Sequence, residues 1–299
     1  MANLSDIRNR IESIQNTQQI TKAMKMVAAA KLRKAQNRII ETRPYASKMQ
    51  EVVARLVKSA SDENVLLQER ENVENVLFIV IGSDRGLCGG FNNNLFKKVK
   101  SRIESDFSSF KKEKKLSILA VGRKATKHFG KRDYQIAQDF PGFFDELAFS
   151  QISDIMKTVI SEFKSGEYDE VYLAYNEFVS IISQNRLIEK VLPIDPDSVI
   201  NDENNENSEK EFIDYIFEPD VDSILTELLP LHINMQMWKA VLESNAAEQG
   251  ARMTAMDNAT ENAKEMEDDL RLEYNRARQS AITTEISEII SGAQALEDA

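Results

Sequence analysis

From about Leu231 to Leu296 the sequence reads as one very long helix, and no ordinary core can use it. Small or apolar residues recur at Met256, Ala259, Ala263, Met266, Leu270, Tyr274, Ala277 and Ala281, in steps of three or four that hold them to one face. Ile282, Ile286, Ile289, Ala293 and Leu296 continue the rhythm one residue out of phase. At about 1.5 Å per residue such a helix spans on the order of 100 Å, so its stripe needs a partner of comparable length. The other end of the chain supplies one. Leu4, Ile7, Ile11, Ile14, Gln18, Thr21, Lys25, Ala28, Leu32, Ala35, Ile39, Thr42, Ala46, Met49, Val53 and Leu56 keep a three-four series in one register. Two terminal helices flanking a folded module predict an antiparallel coiled coil.

The spacing therefore predicts a first helix over 1–59, an α/β module over 60–218 and a second helix over 219–299. Asn3 or Ser5 suits the first cap, and Pro44 predicts a bend near Ile40–Pro44. Polar Gln18, Thr21 and Lys25 interrupt the stripe, either to specify register or to meet something other than the second helix. After the polar stretch 60–75, strand-type runs at Val76–Ile81, Leu116–Val121, Tyr134–Ala137 and Glu170–Asn176 alternate with helical patterns at Asn94–Ile103, Arg123–Phe129 and Phe149–Lys164. That alternation predicts a largely parallel sheet of Rossmann-like character. Ser180–Leu192 and Glu211–Phe217 read as further strands around the acidic loop Asn201–Lys210. Pro219 stands at a helix entry, and Pro230 bends that helix early.

Charge is divided unevenly. The net charge of −11 opposes general nucleic-acid binding, yet residues 20–48 hold Lys22, Lys25, Lys31, Arg33, Lys34, Arg38, Arg43 and Lys48 against one acid, Glu41. This is either a solvated basic face or a track for an acidic partner. One cysteine, Cys88, excludes an internal disulfide, and His128 and His232 alone give no zinc pattern. No apolar run reaches the length of a membrane span, and the start enters the heptads without a signal or transit pattern, so a cytoplasmic protein is expected.

The turn after the first strand, Gly82-Ser83-Asp84-Arg85-Gly86-Leu87-Cys88-Gly89-Gly90, invites a phosphate reading but fits neither nucleotide-binding glycine fingerprint. A tight structural turn, or a protein contact through Asp84 and Arg85, suits it better. No histidine neighbours Cys88 in sequence, and no catalytic constellation, metal ligand set or cofactor motif stands out. In the last helix Arg278, Gln279, Thr283 and Glu285 interleave with Ala281, Ile282, Ile286, Ile289 and Ile290. Apolar residues there cover more of the circumference than one partner helix can, which predicts a tip seated in another protein's apolar sleeve.

Four stretches together closely resemble the gamma subunits of F-type ATP synthases over nearly the full length. They are IRNRIESIQNTQQITKAMKMVAAAKLRKAQ, GSDRGLCGGFNNNL, ESNAAEQGARMTAMDNATENA and ITTEISEIISGAQAL. The last matches the family signature through Ile282, Thr283, Glu285, Glu288, Gly292 and Ala293. The resemblance implies a rotating central shaft without catalytic chemistry or cofactor of its own. Its partners would be three alpha and three beta subunits, epsilon and the c ring, at the cytoplasmic face of a bacterial plasma membrane. It assigns Arg278, Gln279, Thr283 and Glu285, with Ile286 and Ile289, to the contact with the catalytic ring, and Lys22, Met24, Lys25, Lys31, Arg33 and Lys34 to the acidic lever loops of beta. Tyr215, Glu218 and Asp220, with Asp84 and Arg85, are assigned to the foot that meets epsilon and the c ring. Without paired cysteines in the middle insertion, thiol switching is not implied. Two other readings remain open at this point: a nucleotide-dependent α/β enzyme with helical arms, and a coiled-coil adaptor whose basic helix binds nucleic acid.

Overall fold

The computed structural model describes residues 4–58, 64–195, 218 and 220–297. Asn3, Glu211–Phe217, Asn201–Lys210 and Pro219 lie outside them, as does Tyr215. The elements run α1 (Leu4–Lys58), β1 (Val76–Ile81), α2 (Phe91–Asp106), α3 (Ser108–Lys112), β2 (Leu116–Val121), α4 (Arg123–Phe129), β3 (Gln135–Phe140), α5 (Phe149–Ser165), β4 (Glu170–Phe178), β5 (Gln184–Leu192) and α6 (Val221–Glu297). Two compact units emerge: Met1–Ala28 with Arg252–Ala299, and Ala29–Ala251.

In the first unit α1 and α6 lie antiparallel. Gln15 Nε2 donates to Glu267 at 2.8 Å, the hydroxyls of Thr21 and Thr260 meet at 2.7 Å, and Lys25 pairs with Asp257, so one number rises as the other falls. Ile7, Thr21 and Ala28 are buried, and every other predicted stripe residue of this segment is half-buried. On α6 the seam runs through Met256, Ala263 and Glu267, with Ala259, Leu270, Tyr274 and Ala277 half-buried. The predicted stripe is corrected at two places: Ala281, past the reach of the described α1, is exposed, and the step at 266–267 shifts by one residue. Met266 is 55% exposed and Glu267 takes the seam at 9%, because the amide of Gln15 and the guanidinium of Arg271, 2.7 Å away, supply donors that a seam carboxylate needs. The interrupting Gln18, Thr21 and Lys25 all lie along this seam, buried or half-buried, and Thr21 and Lys25 pair directly with α6.

The second unit is built on a five-stranded sheet ordered β3-β2-β1-β4-β5, parallel except for the β4–β5 pair. β1 and β2 are buried at every residue, as strands covered on both faces must be, while edge strand β3 alternates exposed and half-buried positions. Helices α2 and α4 cover one face around Phe78, Leu95, Phe96, Val99 and Phe129. The other face packs on α5, on Met49, Val53 and Leu56 of α1, and on Leu225, Leu229, Ile233 and Met237 of α6. Leu32 and Ala35 close on Ala246, continuing the predicted α1 register. Helix α1 runs through Pro44 without a break. Pro44 and Ile40, four residues before it, are both exposed, so water can take up the carbonyl that the proline leaves without a donor. Strand β5 begins at Gln184, four residues later than the sequence suggests, because 180–183 form the turn, closed by Ser180 N–H donating to the Ser183 carbonyl at 2.9 Å. The short helix α3 has only polar residues and one phenylalanine, too few to show a period.

One buried group makes stability depend on pH. His232 is 5% exposed, its Nε2 has no partner among the described residues, and burial pushes its pKa down to about 4. The unfolded chain binds this proton below about pH 6.5, whereas the folded chain binds it only below about 4. Stability is therefore complete above the unfolded value and falls as the pH drops from 6.5 towards 4, by on the order of 3 kcal/mol. The expected result is that His232→Leu flattens the curve of unfolding free energy across this window, measured by urea titration at several pH values.

Candidate functional site

Three surfaces matter: the turn after β1, the basic face of α1 and the end of α6. The turn sits at the carboxyl edge of the sheet, beside the point where strand order reverses between β1 and β4. There Asp84, 8% exposed, accepts backbone N–H groups from Arg123 at 2.9 Å, Gly142 at 2.7 Å and Phe144 at 2.8 Å. One carboxylate thus ties the ends of β1, β2 and β3 together. Asn92 completes the turn, accepting from Ser83 N–H at 2.9 Å and donating to Ser83 Oγ at 2.7 Å. Gly122 has φ +90°, and a Cβ there would stand 2.6 Å from the Gly82 carbonyl, so the close approach of the two strand ends requires glycine at 122, while a Cβ on Gly82 would crowd Ala125 at 3.0 Å. Cys88 is buried against Phe91 and Ala247. Arg85 is exposed and lies 3.8 Å from Asp145.

The expected foot residues do not come together. Asp84 faces inward and positions backbone, as the structural turn that the sequence offers beside a protein contact would have it. Glu218 and Asp220 lie before α6, whereas the β1 turn packs beside Ala247, about 40 Å further along that helix at 1.5 Å per residue. Asp220 caps α6. Its carboxylate accepts from Ser223 N–H at 2.8 Å and Ser223 Oγ at 2.7 Å, and these bonds hold its pKa below the usual aspartate range.

On α1, Lys22 is exposed, Met24 is half-buried, and Lys25 is spanned by Asp257. Lys31, Arg33 and Lys34 are exposed beside buried Leu32 and Ala35. At the end of α6, Arg278, Gln279, Thr283, Glu285, Ile286 and Ile289 are all exposed. The antiparallel register puts Leu4 opposite about Ala277–Arg278, so the described α1 offers no cover beyond it. Ile282, Ile286, Ile289 and Ile290 are 48%, 51%, 65% and 54% exposed on a helix that continues to Glu297.

Among the described residues no group of three or more His, Cys, Asp or Glu is placed to hold a metal ion, and no helix is long and apolar enough to cross a membrane. What the chain offers instead is two long helices, an inserted α/β module and bare surfaces of definite charge and hydropathy. This is the class of helical stalk subunits that work inside a larger assembly. Solved structures agree on the fold. The central stalk of the Tetrahymena thermophila mitochondrial ATP synthase matches with TM-score 0.58 and 26% identity over 80% of this chain and 99% of that one. A rotor chain of the Euglena gracilis mitochondrial enzyme matches with TM-score 0.64 and 22% identity over 93% and 98%. The family described as ATP synthase matches residues 3–296. The ATP synthase gamma chain of Chloroherpeton thalassium is 46% identical over 99% of both chains, and that of Salinibacter ruber 48% identical over 100% of this chain and 99% of its own. The chain belongs to the ATP synthase gamma chain family.

Proposed function

We propose that this chain is the central rotor shaft of a proton-translocating F1Fo ATP synthase. It couples rotation of the c ring to the conformational cycling of three beta subunits, and it performs no bond chemistry itself. The observation that carries the reading is the stretch of α6 over 278–294, exposed at every residue and holding four isoleucines. A helix of that composition needs an apolar sleeve, and the ring of alpha and beta subunits is such a sleeve. In this reading Arg278, Gln279, Thr283, Glu285, Ile286 and Ile289 touch the ring, and Lys22, Met24, Lys25, Lys31, Arg33 and Lys34 face the acidic lever loops of beta. Glu218 and Asp220, with Tyr215, form the foot towards epsilon and the c ring. Arg85 makes a separate contact from the turn that Asp84 holds. Residues 1–59 and 219–299 act as the axle and 60–218 as its coupling, docked at the cytoplasmic face of a bacterial plasma membrane.

Torque transmission then follows from differential contact. Each angle of an asymmetric shaft stabilises one conformation of each beta subunit over the others, and only that difference shifts populations among nucleotide affinities. The test is reconstitution. The purified chain is expected to show no ATPase activity, to co-purify with alpha, beta and epsilon subunits, and to restore ATP-driven proton pumping to membranes that lack it. ATP turnover by the chain alone, or failure to join the ring, would overturn the reading.

A further inference from the structure

The glycine turn that matches no nucleotide fingerprint forms one wall of a cavity that the rotor reading does not use. It measures ≈ 350 Å³ and lies between Gly86, the first turn of α2 at Asn92 and Asn93, and the side chains of Lys124, Lys127 and Arg132. No carboxylate lines it. Lys124 and Lys127 stand one turn apart on α4. Neither has an ion pair among the described residues, and the Arg132 guanidinium donates to the His128 carbonyl, at 2.7 Å. Gly86 makes room for this arrangement, since a Cβ there would stand 3.3 Å from the Lys124 ammonium. In a chain with 49 acidic against 38 basic residues, three cations around one cavity with no acid among them run against the background. They repel one another, and an anion between them would relieve the repulsion.

The rest of the wall suits the same occupant. The first turn of α2 carries N–H groups that have no acceptor within the helix and adds its positive dipole end. His128 lies tilted against Phe96 with centroids 4.6 Å apart. Burial, then the charges of Arg132 and Lys100, push its pKa down. The volume falls in the range of about 300–1,000 Å³ typical of small-molecule sites.

We propose that this cavity binds a multiply charged phosphate anion, either an inorganic polyphosphate or the phosphate chain of a nucleotide, held by Lys124, Lys127 and Arg132. Its recognition rests on side chains of α4 and the turn that follows it, facing the glycine turn across the cavity, which is why no glycine fingerprint announces it. It stands apart from the rotor reading, because it needs no other subunit.

Calorimetric titration of the purified full chain with inorganic triphosphate, ATP without magnesium, and hexaglutamate tests it. Triphosphate is expected to bind one site. Lys124→Gln/Lys127→Gln should weaken that binding by about tenfold or more, whereas Lys112→Gln/Lys114→Gln, exposed lysines outside the cavity, should change it by less than about twofold. ATP binding no tighter than triphosphate makes phosphate the whole determinant, and tighter binding adds the nucleoside. Absence of binding, equal loss in both double variants, or hexaglutamate binding as well as triphosphate would overturn the proposal, the last in favour of an acidic protein segment. Circular dichroism of each variant confirms that an altered affinity does not come from an altered fold.

Discussion

Replacing Ile286 and Ile289 together by aspartate is expected to uncouple the reconstituted enzyme while leaving the isolated chain as stable as before. The two side chains are 51% and 65% exposed, so roughly half of each remains to be buried by a partner. Full burial of an isoleucine is worth about 1.5–3 kcal/mol, which puts the available half-burial of the pair near 2–3 kcal/mol, or about a hundredfold in seating affinity. Bringing two carboxylates into an apolar sleeve costs more again. Within the isolated chain neither residue meets the α1 seam, and the intrinsic helix propensities of isoleucine and aspartate differ by only a few tenths of a kcal/mol. Thermal unfolding of the free chain should therefore be unmoved. ATP-driven proton pumping in inverted vesicles, and recovery of the variant with alpha and beta subunits, should both collapse. Normal pumping by the double variant would place the tip somewhere other than in the ring.

The same contrast between seam and bare surface separates what was legible in the sequence from what was not. The α1 register was readable residue by residue, because every stripe position from Leu4 to Leu56 is buried or half-buried and the three-four period is purely local. The α6 stripe was readable except at Ala281, exposed past the end of α1, and at 266–267, where hydropathy favours methionine. The deciding donors come from Gln15, a residue 252 positions away. β1 and β2 declared themselves as unbroken apolar runs, whereas α3 offers too few apolar residues for a period. The bare tip showed as excess apolar circumference. The basic cavity did not, since its walls are assembled from segments some forty residues apart and only the fold brings Gly86 to Lys124. For Asp84 the sequence left a structural turn and a protein contact side by side, and the bonds it makes are those of the turn. Nothing in a local window reveals that a carboxylate will collect N–H groups from Arg123, Gly142 and Phe144.

That carboxylate carries the other large expected effect. Asp84→Ala leaves three part-buried backbone N–H groups without acceptors at the carboxyl edge of the sheet. Each such loss costs about 1–3 kcal/mol where water cannot replace the partner. Partial solvent entry limits the sum, because the site is 8% exposed and not sealed, so a total of about 3–5 kcal/mol is expected. Asp84→Asn separates geometry from charge. Its amide oxygen can still accept from Arg123 and Gly142, but the amide nitrogen would then face the N–H of Phe144, donor against donor. The asparagine variant should therefore fall between alanine and the parent, at about 1–3 kcal/mol. The neighbouring ion pairs cannot compensate, since Arg85 and Arg123 meet Asp145 at an exposed place where such pairs are worth little. Urea unfolding checks the order. The midpoint should drop in the sequence parent, asparagine, alanine, with an unchanged slope if only stability is affected. Equal midpoints for alanine and parent would show that the three strand ends are held by packing alone, and that the turn after β1 can be remodelled without loosening the sheet.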